Sequence, residues 1–100
     1  MSYLQSLDED RRAWLLRLLA RSGGHANEGV LLTSIHAAGH RRVTRELVRA
    51  DLEWLNDRGL VSLEWLDETV LVARLTRRGG DVAAGHATVS GVRKPDPFDD

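Results

Sequence analysis

Apolar residues recur at helical spacing in the first part of the chain. Between Asp8 and Arg21 they predict a first helix, and Gly23 and Gly24 end this pattern near Ser22. The spacing places one group of apolar side chains on a single face, which we expect to lie in the core. These residues are Leu7, Trp14, Leu15, Leu18 and Leu19.

The opposite side of this helix also carries apolar residues. They are Ala13, Leu16 and Ala20, and Tyr3 and Leu4 precede them in the chain. A helix with two apolar faces is buried twice, either by other elements of its own domain or by a partner chain. The sequence therefore predicts a homodimer interface at Ala13, Leu16 and Ala20, with wrapping by other elements as the alternative.

Two shorter helices joined by a tight turn follow a loop at 25–26. The first is expected over 28–38, with Asn27 as its N-cap. The second is expected over 45–58, with Thr44 as its N-cap. One longer helix followed by two short ones is the order of a three-helix helix-turn-helix core.

After the third helix the apolar period changes from helical to alternating, which predicts a β-hairpin with its turn at 67–68. A loop of two or four residues centred on this turn would set Trp65 opposite Val70 and Leu63 opposite Val72. We expect the hairpin to seal the helices through Trp65, Leu63 and Val72.

The end of the chain is expected to be a short helix over 77–84 and then an extended segment. Glycine and proline disfavour a further helix, so we divide the chain into a domain over 1–88 and a tail over 89–100. Val92 and Phe98 in the tail suit a strap lying over an apolar groove. A solvated linker is the alternative.

Composition restricts the class of protein. The chain has 100 residues, of which 42% are hydrophobic and 29% charged, and it has no cysteine. This excludes a disulfide scaffold, a thiolate metal site and a cysteine nucleophile, and it favours one small globular domain. Because the apolar runs are too short to span a membrane and the first residues do not resemble a signal peptide, we expect a cytoplasmic protein.

The residues that carry chemistry do not form a catalytic pattern. The four histidines, His25, His36, His40 and His86, lie in different predicted elements, and no serine lies in a nucleophile motif. We therefore expect no metal site, no cofactor and no enzymatic activity.

Charge is distributed unevenly although the net charge is only −1. Residues 1–50 carry +3 and residues 51–100 carry −4, and thirteen of the fourteen basic residues are arginine, which suits bidentate contacts to phosphate or guanine. Part of the positive charge surrounds the turn before the third helix, the part of a helix-turn-helix that enters the major groove. The candidate DNA-binding residues are His40, Arg41, Arg42, Thr44, Arg45 and Arg49.

The segment Arg45–Gly79, RELVRADLEWLNDRGLVSLEWLDETVLVARLTRRG, resembles the third helix and wing of bacterial winged-helix regulators. The pattern LxxLxxxGLV at 52–61 is shared by many such families, and LTxxG at 75–79 is similar to their exit from the wing. With the tail GHATVSGVRKPDPF, the chain resembles small winged-helix proteins of Mu-like phages and prophages, often labelled ArsR-type regulators. ArsR metal sensors carry cysteines on the helix corresponding to 45–58; this chain has none, so metal sensing is not implied.

This resemblance implies a mainly α fold with a β-hairpin, namely a winged helix-turn-helix with a three-helix core and a two-stranded wing. It also implies a dimer that binds double-stranded DNA through helix 45–58 and regulates phage or prophage transcription. The alternative is an interaction module for a phage or host protein. The low net charge, the acidic turn at 67–68 and the acids Glu53 and Asp57 on the third helix favour this alternative.

Asp51 interrupts the apolar face of the third helix. A carboxylate at this position is expected to be buried and therefore to need a partner. The candidate partners are Arg74, a backbone amide near Gly59 and Ser34.

Overall fold

The computed structural model describes residues 2–95, in which four helices and one three-stranded antiparallel sheet form a small α+β fold. Phe98 lies outside the described residues. The elements are α1 (Tyr3–Arg21), β1 (His25–Asn27), α2 (Glu28–Ala37), α3 (Arg45–Asp57), β2 (Val61–Leu66), β3 (Val70–Leu75) and α4 (Arg77–Ala83).

Capping side chains begin three of the helices where the sequence predicts it. Asn27, Thr44 and Thr76 each accept a hydrogen bond from the amide three residues further on, at 2.8, 3.1 and 3.0 Å. Each satisfies a backbone donor that the first turn of a helix leaves unpaired. The predicted N-caps of α2 and α3 are confirmed.

The first helix begins at Tyr3, five residues before the apolar pattern from Asp8 onward indicated. The hydroxyl of Ser2 accepts from the Gln5 amide, and the Gln5 side chain accepts from the Ser2 amide. This reciprocal capping box stabilises the first turn of α1. The apolar residues of that turn are exposed, so they are not part of the apolar pattern that marks the core face.

The predicted loop at 25–26 is wrong, because β1 forms there and pairs with β3. The sheet order is β1-β3-β2, so the predicted two-stranded wing is part of a three-stranded sheet. Its central strand is covered on both faces, and Leu71, Val72 and Ala73 are all buried. A strand of three residues is too short to show alternation, and its pairing depends on residues far along the chain.

The predicted hairpin register is wrong by one residue. Trp65 lies opposite Leu71 and Leu63 lies opposite Ala73, because the connection from Leu66 to Val70 contains three residues instead of two or four.

On the face of α1 predicted to lie in the core, Leu15 and Leu19 are buried and Trp14 and Leu18 are partly buried, but Leu7 is 38% exposed, so its assignment to the core is wrong. Residues of α1, α2 and α3 meet the sheet in one hydrophobic cluster. It contains Leu15, Leu16, Leu19, Ala26, Leu31, Ile35, Val48, Leu52, Leu55, Leu60, Val61, Leu71, Ala73, Val82 and Val92. Within residues 2–95, no helix combines the length and apolar character that crossing a bilayer requires.

The second apolar face of α1 is covered by the chain itself. Leu16, predicted as a dimer contact, is fully buried in the cluster that includes Val82 of α4 and Val92. Ala13 is partly buried and Ala20 is exposed. Wrapping by other elements is therefore the alternative that the structure supports, and Leu16 is wrong as an interface residue.

Of the two alternatives for the tail, a strap or a solvated linker, the structure agrees with the strap as far as residue 95. The Arg93 amide donates to the Glu9 carbonyl at 3.2 Å, and Arg12 donates to the Gly91 carbonyl at 3.1 Å. Together with the burial of Val92, these contacts fasten residues 89–95 onto α1.

Candidate nucleic-acid interface

A short turn joins α2 to α3 and sets the position of the predicted DNA-binding residues. Gly39 has φ +109°, a left-handed conformation that glycine adopts without strain and that ends α2. The Nε2 atom of His36 lies 2.6 Å from the Val43 carbonyl oxygen, so that nitrogen donates a hydrogen bond to it. Both ends of the turn are thereby anchored to α2.

Two of the six candidate residues, His40 and Thr44, have side-chain contacts that position the turn itself. The Nε2 atom of His40 lies 3.4 Å from an Asp10 carboxylate oxygen, and the His40 ring packs edge-on against Trp14 at 6.5 Å. Thr44 uses its hydroxyl to cap α3. The structure thus gives His40 and Thr44 positioning roles in the turn.

Arg41 and Arg42 extend into solvent. Both are exposed, and neither forms an ion pair or a hydrogen bond within residues 2–95. A cation without a protein partner keeps its full charge available for a ligand. These two residues are the free positive charges next to the beginning of α3.

Arg45 and Arg49 are held by a buried carboxylate on α2. Arg49 donates through Nε and Nη2 to the two oxygens of Glu28 at 3.0 and 2.7 Å, and Arg45 Nη1 lies 3.3 Å from Glu28. Glu28 is only 2% exposed. The hydrogen bonds from Arg49, aided by the charges of both arginines, hold the pKa of Glu28 below its usual value despite its burial. Three side chains therefore form one ionic cluster.

Sequence reasoning did not find Glu28. The available signal was its position directly after the N-cap Asn27, which predicts a favourable interaction with the helix dipole. That position does not reveal that two arginines of another helix converge on it, because the crossing of α2 and α3 is a tertiary feature.

Trp65 of the β2–β3 hairpin lies beside this cluster. The guanidinium carbon of Arg49 is 5.1 Å from the centre of its ring, within the range of a cation–π contact. Trp65 is 48% exposed, so the expectation that it seals the helices is wrong. The turn of this hairpin is acidic and exposed, and Asp67 and Glu68 both have positive φ.

The predicted burial of Asp51 is confirmed, but its predicted partners are wrong. Arg11 of α1 donates to both oxygens of Asp51, and Arg12 Nε lies 3.6 Å away. Arg74 instead lies 3.7 Å from Glu64 on the exposed side of the β2–β3 hairpin. Burial alone would lower the pKa of Arg11, but the hydrogen bonds that Arg11 donates to Asp51 and Asp8 outweigh it and raise that pKa.

The described part of the chain contains no group of three metal-ligating side chains close enough to hold an ion. The site is therefore a surface of arginines around a helix N-terminus, with one buried carboxylate and one aromatic ring beside it.

Two relatives cover most of the chain. The uncharacterized protein gp26 of Escherichia phage Mu is 44% identical over 91 residues, which are 91% of this chain and 93% of gp26. An uncharacterized protein of Haemophilus influenzae (strain ATCC 51907 / DSM 11121 / KW20 / Rd) is 36% identical over 78 residues, which are 78% of this chain and 76% of that protein. No family model and no solved structure gives a significant match. At this identity and coverage, the chain belongs to the family of phage Mu gp26.

Proposed function

We propose that this chain is a winged-helix protein of a Mu-like phage or prophage that binds duplex DNA and acts in transcriptional regulation. The order of elements supports the fold: α1, β1, α2 and α3 are followed by the hairpin of β2 and β3, whose second strand pairs with β1. In such an arrangement α3 is the helix that enters the major groove, and the hairpin is the wing beside it.

The observation that carries the proposal is the set of arginines at the beginning of α3. Arg41 and Arg42 have no partner within residues 2–95, and they lie directly before the helix that presents Arg45 and Arg49. Phosphate contacts fix the position of a protein on DNA, and arginines on the helix can contact base edges.

The ionic cluster with Glu28 reduces the positive charge of this surface without removing it. The four arginines are offset by the three carboxylates whose charges act on Arg49, namely Glu28, Glu46 and Glu53, which leaves a net charge of +1. The side chains of Arg45 and Arg49 remain 50% and 39% exposed, so part of each guanidinium can reach a ligand. An arginine already held by a carboxylate also loses less conformational freedom when it binds.

The experiment is a measurement of binding to random and selected DNA duplexes by fluorescence anisotropy, between about 50 and 200 mM salt. The double variant Arg41→Ala/Arg42→Ala should bind all duplexes more weakly, with a shallower salt dependence. Replacing Arg45 or Arg49 by alanine should cost about 1–3 kcal/mol of binding to the selected sequence and relax the sequence preference.

The matched control is Arg77→Ala/Arg78→Ala, which removes two exposed charges from α4. An equal loss of binding in this control would show that only the overall charge matters. Wild-type binding that is undetectable at low salt, or unchanged after all four arginines of the turn and α3 are replaced, would contradict the proposal.

A second candidate function is binding to another protein through the wing. Trp65, Leu66 and Val70 are all exposed near the acidic turn of the hairpin. Exposed aromatic and aliphatic residues close together are typical of protein contact surfaces. Complex formation with little salt dependence, lost in a Trp65→Ala variant and kept in the arginine variants, would favour this function.

A further inference from the structure

A groove of about 390 Å³ lies between the C-terminal half of α1 and α4. Arg17, Ala20 and Arg21 line it from α1, and the residues that line it from α4 and its C-cap are glycine and alanine. Among residues 2–95 no carboxylate lines the groove, so its charged groups are the two arginines. The arginines of the turn and of α3 do not line it, which separates this groove from the candidate nucleic-acid interface.

The two arginines of the groove lie against the ring of Trp14. Their guanidinium carbons are 5.1 Å from the ring centre in Arg17 and 6.0 Å in Arg21. Within the described part of the chain, Arg17 has no carboxylate partner. Ala20 lies on the same face of α1 and is exposed. The groove thus offers an accessible apolar surface beside a positive charge that is available for a ligand.

The last described residue of the chain lies at this groove. Pro95 belongs to its lining, and the Pro95 Cγ atom is 3.5 Å from the position that a Cβ would take at Gly85, just after α4. The segment before it is fixed, because Arg93 Nε lies 2.6 Å from an Asp10 carboxylate oxygen and the Arg93 amide donates to the Glu9 carbonyl. Residues 96–100 therefore start from a fixed point at the groove.

The chemistry of residues 96–100 complements that of the groove. Their sequence is DPFDD, with three carboxylates, one aromatic ring and no basic residue. Five residues reach at most about 17 Å when fully extended, and the part of α1 from Arg17 to Arg21 is about 6 Å long. Phe98, three residues beyond Pro95, can therefore reach the apolar surface while the aspartates stay near the arginines.

We propose that residues 96–100 dock in this groove of their own chain, with the Phe98 ring between α1 and α4 and the aspartates beside Arg17 and Arg21. Burial of an aromatic ring is favourable, and the opposite charges fix its position. The tether at Pro95 gives the tail of the same chain a much higher effective concentration than the tail of another copy. The docked tail offsets the positive charge of this face. It leaves the arginines of the turn and of α3 uncovered, so the docking does not depend on DNA binding.

The test is fluorine NMR of the full chain, in which Phe98 is the single phenylalanine. After incorporation of para-fluorophenylalanine, the one signal reports the surroundings of that ring. We expect it to be shifted from its position in the urea-unfolded chain and to be protected from a soluble paramagnetic reagent. Ala20→Glu should lower the ratio of docked to free tail about tenfold, because it places a negative charge in the groove. The matched control is Ala50→Glu, which changes an exposed helical alanine of α3 and should leave the signal unchanged.

A second variant leaves residues 2–95 as they are. Asp96→Asn/Asp99→Asn/Asp100→Asn removes the charge of the tail and should also move the signal toward its position in the unfolded chain. A wild-type signal equal to that of the unfolded chain would overturn the proposal. A signal that stays the same in either variant would also overturn it, because Phe98 would then be held elsewhere or without the arginines. A signal that depends on protein concentration would assign the groove to the tail of another copy and would equally overturn it.

Discussion

Two carboxylates of the helical layer are equally buried but belong to different kinds of ion pair. Asp51 and Glu28 are each 2% exposed. The arginine that binds Asp51 is itself buried, with a side chain of Arg11 that is 7% exposed. Glu28 is bound by Arg45 and Arg49, whose side chains remain 50% and 39% exposed.

The difference shows what each pair contributes. The inner pair joins α1 to α3 and is almost completely buried, so the loss of one partner leaves a poorly hydrated charge. The outer pair holds two arginines at the surface, where water can replace part of what the carboxylate provides. The inner pair is therefore a structural element, whereas the outer pair shapes a binding surface.

The largest effect is expected from breaking the inner pair. Asp51→Ala removes the carboxylate and leaves the buried Arg11 guanidinium with Asp8 as its remaining partner, which should lower the free energy of unfolding by about 3 kcal/mol. Urea denaturation followed by circular dichroism measures this loss, and a variant that is largely unfolded in buffer would agree with it.

The double variant Arg11→Met/Asp51→Leu distinguishes the cost of an unpaired buried charge from the contribution of the ion pair itself. Replacing both charges by apolar groups of similar size should recover most of the stability, because no uncompensated charge remains. If the single variant were as stable as the wild type, the inner pair would have no structural role.

A smaller loss of unfolding free energy is expected where residues 89–95 pack against Trp54 of α3. A Cβ at Gly91 would lie 2.5 Å from Trp54 Cζ2, at a residue with φ +95°. Gly91→Ala should therefore cost about 1–3 kcal/mol of unfolding free energy. Gly24→Ala is the matched control, because Gly24 has the same φ and no atom within 4 Å of its Cβ position. Equal losses in the two variants would mean that the contact with Trp54 is unimportant.

The smallest effect is expected at the outer pair. Glu28→Gln keeps the shape and removes the charge, and it should cost about 1 kcal/mol at neutral pH, because the arginines stay partly hydrated. Since the folded pKa of Glu28 is lowered, its contribution is complete above its ordinary pKa of about 4.3 and is lost as the pH falls through the lowered value.

Urea denaturation of Glu28→Gln and the wild type, at neutral pH and below about pH 4, measures this dependence. The two curves should converge in acid. Glu64→Gln is the control, since its pair with Arg74 is exposed and should contribute less than about 0.5 kcal/mol. A difference that persists unchanged at low pH would rule out the ionised carboxylate as its cause.

Local chemistry explains which features the sequence predicts well. The N-caps Asn27 and Thr44 act on amides three residues away, so nothing distant decides them. The core leucines follow from the helical period, although Leu16 was assigned to the wrong environment. The hairpin was predicted, but its register depends on one additional residue in a turn where Asp67 and Glu68 adopt positive φ.

The candidate site shows the same division. Composition and spacing brought together Arg41, Arg42, Arg45 and Arg49, which lie close in sequence. They did not reveal Glu28, whose contact with Arg49 spans 21 residues. A charge pattern along the chain identifies which side chains share a surface, and it leaves open what lies beneath them.

The sequence by itself determined the existence of the four helices, the N-caps of α2 and α3, the existence of the hairpin and the basic turn before α3, since each depends on neighbours within a few residues. Only the tertiary structure decided the pairing of β1 with β3, the burial of Leu16 by α4 and the strap, and the partners of the two buried carboxylates. These features join segments that are distant in the chain. Their positions follow from how the helices cross and which faces they cover, and periodicity carries no information about either.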